Sequence, residues 1–125
     1  MSVNVTGVHH IMITVGDIKK AKGFYTDILG FEEMPIPDVV TGPRVWFKLG
    51  TTELHVNEHP KHNAGNSHFA ISVEPGTYES YIKNIESSGY EKRSTCEKYV
   101  DGYYRLYIHD PFNNCIEIIN AEFVA

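Results

Sequence analysis

The sequence predicts an α+β fold of two tandem βαβββ modules, forming half-barrel sheets around a cleft with helices on the outer face. Three observations carry that expectation. SHFAISV, from residue 67, resembles HHIMITV, from residue 9, and GTYESYIKNIESSGY resembles GDIKKAKGFYTDILGF. Several short segments alternate apolar and polar residues with the period of a strand. Between them, two windows carry apolar residues at helical spacing.

The strand VHHIMITV opens the chain, with Ile11, Ile13 and Val15 on one face and His10, Met12 and Thr14 on the other. Asp17 is placed to cap a helix through KKAKGFYTDIL, in which Ile18, Ala21, Phe24, Tyr25 and Ile28 recur at helical spacing. Gly23 costs that helix about 1 kcal/mol against alanine, and Gly30 stands where a C-cap glycine belongs. FEEM follows as a short strand and PIPDVVTGP as a loop. RVWFKL and TELHVNE read as a hairpin joined across Gly50 and Thr51, and HPKHNAGN is a polar loop that marks a module boundary.

The pattern then repeats. His68 falls on His10, Val73 on Val15, Tyr81 near Phe24, Gly89 on Gly30 and Tyr90 on Phe31. Strands follow at EKRSTCE, YYRLYIH and NNCIEIIN, the last two joined by the turn DPFN. Residues 1–125 thus form one domain, with module one at about 6–58 and module two at about 67–122. Only two copies exist, each with a helix and several strands, so paired half-barrels fit better than a solenoid.

A formal net charge of -5 argues against nucleic acid, whose phosphates call for a basic face. No apolar run approaches the ~20 residues that span a bilayer, and MSVNVTGVHHIMITVGD lacks the basic and apolar regions of a signal peptide. The two cysteines, Cys96 and Cys115, suggest reduced thiols rather than a disulfide framework. A cytoplasmic location is expected.

Strand alternation then sorts the polar residues. His10 and His68 lie opposite the helix-facing apolar set, as do Glu53, His55 and Asn57 in the fourth strand and Cys115 and Glu117 in the last. Two histidines and one or two carboxylates would thus share one concave surface. Neutral imidazole and carboxylate suit Zn, Ni, Mn or Fe(II), and this number of donors leaves positions open for substrate. A single strand histidine is more often a hydrogen-bonded structural residue. Here, however, His10 and His68 stand at equivalent places in two copies, and Glu53 and Glu117 do so roughly. His9 is expected on the helix side, and His59 and His62 in solvated loop. Tyr103, Arg105, Tyr107 and His109 share a face of the penultimate strand. Arg105 there suits a substrate carboxylate, and Tyr107 or His109 a proton transfer, although packing alone is the commoner role of such aromatics. Cys115 reads as structural.

The run HHIMITVGDIKKAKGFYTDILGFE resembles the opening signature of the vicinal oxygen chelate superfamily, and YIHDPFNNCIEII resembles its closing one. SHFAISV is similar to the histidine-bearing start of that family's second module. The resemblance implies His10, His68 and Glu117 as metal ligands. Glu53 resembles the further glutamate of glyoxalase I. It also implies one divalent metal per site and a homodimer in which modules of two chains complete each barrel. RVWFKLGTTELHVNEH resembles a small glyoxalase-like subgroup, implying His55 in or beside the cavity. Asn113 replaces the usual turn glycine, and Thr14 stands where glyoxalase I carries an arginine for glutathione. The expected activity is that of a lyase or isomerase acting on a small oxygenated metabolite. The metal would stabilise an enediolate, with Glu53 or Glu117 as base. The alternatives are an extradiol-dioxygenase-like Fe(II) oxygenase using His10, His68 and Glu117 alone, or a non-catalytic binder of the bleomycin-resistance type.

Overall fold

The computed structural model describes residues 3–62, 65, 67–74, 76–89, 95–98 and 104–119. Module one runs through β1 (His10–Val15), α1 (Ile18–Gly23), a π-helical continuation (Phe24–Ile28), β2 (Glu32–Met34), β3 (Arg44–Leu49) and β4 (Thr52–Glu58). Module two runs through β5 (His68–Ser72), α2 (Thr77–Ser88), β6 (Thr95–Lys98), β7 (Tyr104–His109) and β8 (Cys115–Ile119). The two sheets have the same plan, β1-β4-β3-β2 and β5-β8-β7-β6, with the outer pair parallel and the rest antiparallel. The βαβββ repeat expected from the sequence is therefore the fold.

Local chemistry explains the elements. The Asp17 carboxylate accepts the Lys20 N–H at 3.1 Å and starts α1. The chain does not then continue as one helix. At Phe24 it widens, and the Leu29 N–H reaches back to the Phe24 carbonyl at 3.2 Å. In this wider turn Phe24, Tyr25, Ile28 and Leu29 are all buried. Gly30 follows with φ +67, a left-handed conformation that a side chain would strain. Leu49 pairs with Thr52, so Gly50 and Thr51 form the two-residue hairpin loop.

Burial separates the sheet faces as strand alternation requires. Val45, Phe47, Leu54 and Val56 in the first sheet, and Leu106, Ile108, Ile116 and Ile118 in the second, are buried with the helical residues in one continuous core. The modules are also joined by polar contacts. The Tyr25 hydroxyl donates to Asp110 Oδ2 at 2.8 Å, Asn114 Nδ2 donates to the Thr14 carbonyl at 2.9 Å, and Asn84 Nδ2 to the Ile28 carbonyl at 3.0 Å. Asp110 Oδ1 meanwhile accepts the N–H groups of Phe112 and Asn114 and shapes the β7–β8 turn. Asn113 completes that turn at φ +68. Among the described residues, no helix is long and apolar enough to cross a membrane.

Two expectations change. His62 is not a solvated loop residue: it is half-buried, and its ring meets Phe112 edge-on at 5.3 Å beside Gly16. His9 does not face the helices. It is exposed just before β1, with its Nδ1 2.9 Å from that of His10. Tyr103 lies outside the described residues, as do the side chains of Cys96 and Arg105.

Candidate metal and substrate site

Each sheet turns its second face away from the core, and the chemistry stands there. On the first sheet the strand register lays out three rows. His10, Glu53 and Lys48 form one, Met12, His55 and Trp46 the next, and Thr14, Asn57 and Arg44 the third. The middle of this face is a stack of rings. His55 lies parallel to Trp46 at 3.8 Å between centroids, and His10 lies over His55 at 4.1 Å. The His55 Nε2 is 2.8 Å from Glu53 Oε1 and holds that carboxylate in place. This hydrogen bond, with the positive potential of the surrounding imidazoles, keeps Glu53 below the usual carboxylate range despite partial desolvation.

On the second sheet the rows are His68, Cys115 and His109, then Ala70, Glu117 and Tyr107. His68 Nε2 stands 3.7 Å from Glu117 Oε2, and the Tyr107 ring meets His68 edge-on at 5.7 Å. That nitrogen–oxygen separation suits two donors sharing one metal at bonds of ~2.0–2.2 Å. Glu117 is the more sheltered of the pair, with its side chain 12% exposed against 44% for His68. Burial, and then the nearby Glu117 charge, push the Cys115 thiol up. It is therefore a poor thiolate, in keeping with a structural role.

The structure thus brings the sequence-derived ligands together in pairs. His10 and Glu53 are cross-strand partners in module one, and His68 and Glu117 are neighbours in module two. Among the described residues, no three His, Cys, Asp or Glu side chains gather closely enough to hold a metal ion within one chain. The register also refines the internal equivalence. Opposite His10 stands Glu53, whereas opposite His68 stands Cys115. His55 therefore occupies the place that Glu117 takes in the second module, and Glu53 is offset from it by two residues on the same face.

A cleft of about 660 Å³ lies between the edge strands β1 and β5, lined by apolar residues such as Ile11, Leu49, Ile71 and Tyr81, with none of the candidate ligands among its lining. A second cleft of about 330 Å³ along the same edges does include His68, beside Met12, Thr14 and Cys115. Arg44 and Trp46, which sequence reasoning did not single out, share the open face with His10 and with Asn57, which strand alternation had placed there. Their place was legible in principle: a two-residue turn at Gly50 and Thr51 dictates that Trp46 opposes His55 and Arg44 opposes Asn57.

The comparisons with known proteins agree with the fold. A family model described as Glyoxalase/Bleomycin resistance protein/Dioxygenase superfamily matches residues 7–118. Among solved structures, a glyoxalase family protein from Bacillus anthracis is 26% identical, with 95% of this chain and 98% of that one covered at a TM-score of 0.80. A lactoylglutathione lyase from Agrobacterium tumefaciens is 20% identical, with 93% and 94% covered at a TM-score of 0.70. A variant of the fosfomycin resistance protein FosX from Listeria monocytogenes, complexed with Mn(II) and 1S,2S-dihydroxypropylphosphonic acid, is 18% identical, with 96% of each chain covered at a TM-score of 0.73. No curated protein matches the chain.

Proposed function

Because the chain belongs to the Glyoxalase/Bleomycin resistance protein/Dioxygenase superfamily, we propose that it is a divalent-metal-dependent lyase or isomerase acting on a small oxygenated metabolite. The observation that carries this reading is the presence of a histidine–glutamate pair on the open face of each module. His10 stands with Glu53, and His68 stands 3.7 Å from Glu117. Such a donor set fits Zn, Ni, Mn or Fe, and Mn(II) is the metal in the FosX complex.

Each pair is half a site. A second copy that lays its module-one face against the module-two face of the first would unite His10 and Glu53 with His68 and Glu117. The resulting homodimer would hold two sites. Val3, Val5, Val8 and Met12, all exposed apolar residues in or leading into β1, give that contact its hydrophobic component. When bound, the metal would act as a Lewis acid toward two adjacent substrate oxygens. Glu53 is the better-placed base on geometry: one carboxylate oxygen is anchored by His55, which fixes the group on the open face. Glu117, sheltered in the second sheet, serves as a ligand. Tyr107 opposes it across the ladder and His109 opposes Cys115, two residues along the same face. Thr14 offers no cation for a glutathione carboxylate, which favours a substrate that is not a glutathione adduct.

One observation favours a second reading. His55 rather than a carboxylate holds the place equivalent to Glu117 and ties up Glu53. A site of His10, His68 and Glu117 alone would then be the two-histidine, one-carboxylate set of an Fe(II) oxygenase.

Elemental analysis of the purified protein beside His10→Ala and Glu53→Ala separates these readings. About one Ni, Zn, Mn or Co per chain, lost in His10→Ala and weakened in Glu53→Ala, is the expected result. Iron retained in Glu53→Ala would favour the oxygenase. A metal-repleted wild type that binds nothing would overturn both.

A further inference from the structure

The larger cleft, of about 660 Å³, lies where the edge strands of the two modules, β1 and β5, face each other, and none of the candidate metal ligands lines it. Its apolar walls are Ile11, Phe31, Leu49, Ile71, Val73 and Tyr81, each buried in the core or packed against it. The cleft is thus a gap in the core layer at the junction of the modules. Its volume falls within the range of small-molecule sites, roughly 300–1,000 Å³.

Two features of the wall define what would fill it. The first is charge. In a chain with 22% charged residues, none lines the cleft among the described residues, and its polar side chains are the hydroxyls of Thr51, Thr52, Ser72 and Tyr81. An ion entering there would shed water and meet no counter-charge, so the wall selects a neutral occupant. The second feature is Tyr81 on α2. It is only 9% exposed, yet among the described residues its hydroxyl has no hydrogen-bond partner and is not sealed from open space. Tyr25, buried as deeply, has Asp110 to accept its proton, and Thr52 gives its own to the Val8 carbonyl at 3.1 Å. Burial pushes the Tyr81 phenol up, so at neutral pH it keeps its proton and stands as a donor. A buried phenol is nearly always hydrogen-bonded, and the acceptor this one lacks is what a ligand would bring. A carbonyl oxygen is a pure acceptor and leaves no donor of its own unmatched against an apolar wall.

We propose that this cleft is a second ligand site, apart from the metal pairs, for a neutral and mainly apolar carbonyl compound whose oxygen accepts the Tyr81 hydroxyl. The site does not depend on the metal-dependent reaction proposed above.

The test is a titration with prodan, a neutral naphthyl ketone dye whose emission moves to the blue as it leaves water. Chelator-treated protein is compared with the same protein after addition of Zn(II). Saturable, blue-shifted binding of one dye per chain is expected, equal in the two preparations. Neutral acetylnaphthalene should displace the dye, whereas the naphthoate anion, of similar shape, should not. Tyr81→Phe keeps the ring and should weaken binding about three- to tenfold, the scale of one hydrogen bond, and move the bound emission further to the blue. Ser72→Phe, at an exposed position of the wall, should narrow the cleft and weaken binding by a separate route. Circular dichroism checks both variants, and if Tyr81→Phe does not fold, Ser72→Phe and the naphthoate competition carry the comparison. Displacement by naphthoate as strong as by the ketone, an unsaturable response, a Zn(II)-dependent affinity, or unchanged affinity in either folded variant would each overturn the site. Dye affinity that falls as the protein concentration rises into the dimer range would show that a second copy fills the cleft, and would overturn it as well.

Discussion

Tyr25 shows how much one residue can decide. Its hydroxyl, fully buried, donates to Asp110 Oδ2 at 2.8 Å and ties the first helical segment to the β7–β8 turn of the other module. Burial, the Asp110 charge and that hydrogen bond all push the phenol well above its ordinary value. An acid whose folded value is raised stays neutral in the fold at a pH where the unfolded chain ionises. The stability it contributes is complete below about pH 10 and is lost as pH rises beyond that. Tyr25→Phe should therefore cost about 2 kcal/mol at neutral pH, the scale of a hydrogen bond to a charged group. It should also flatten the alkaline fall in stability, as seen in denaturant titrations across a pH series. An unaltered alkaline slope would show that Tyr25 is not the group responsible. Its burial could be read from helical spacing, but its partner, 85 positions along the chain, could not.

At the scale of elements, the turns and the ring stack make separate predictions. Asn113 holds φ +68, which only glycine and asparagine adopt at low cost. Asn113→Gly should be close to neutral, whereas Asn113→Val should lose about 1–2 kcal/mol, measurable by thermal or chemical denaturation. On the open face, His55 lies between His10 and Trp46 and anchors Glu53. His55→Phe keeps the stack and removes the hydrogen bond. We expect it to weaken metal uptake about tenfold or more, the scale of lost partners to metal ligands, while thermal stability changes little. Metal affinity equal to wild type would separate His55 from the site. The strands and helices themselves were legible because alternation and helical spacing are local properties of the chain. The π-helical widening at Phe24 was not, since it answers the need to bury Phe24, Tyr25, Ile28 and Leu29 together.

Over the whole molecule, the division of the ligands between two sheets has a measurable consequence. If a second copy completes each site, metal occupancy must depend on protein concentration and rise as dimers form. Met12→Glu, on the exposed face of the β1 edge, should shift the protein toward monomer in sedimentation velocity and lower metal content in parallel. Full occupancy in a monomeric variant would show that one chain suffices.

The two-module α+β plan is written in local pattern, because a repeated period of strand and helix needs no distant contact to be recognised. Local pattern also sets which face carries His10, Glu53, His68 and Glu117, since alternation along a strand places every second residue together. How these residues group is a matter of long-range pairing. Strand register, set by the parallel pairing of β1 with β4 and of β5 with β8, put His55 rather than Glu53 in the place equivalent to Glu117. Packing of the two sheets into one core then left a histidine–glutamate pair on each and gathered Arg44, Trp46 and Asn57 into one corner. Those outcomes depend on pairings between residues far apart in the chain, and no local pattern encodes them.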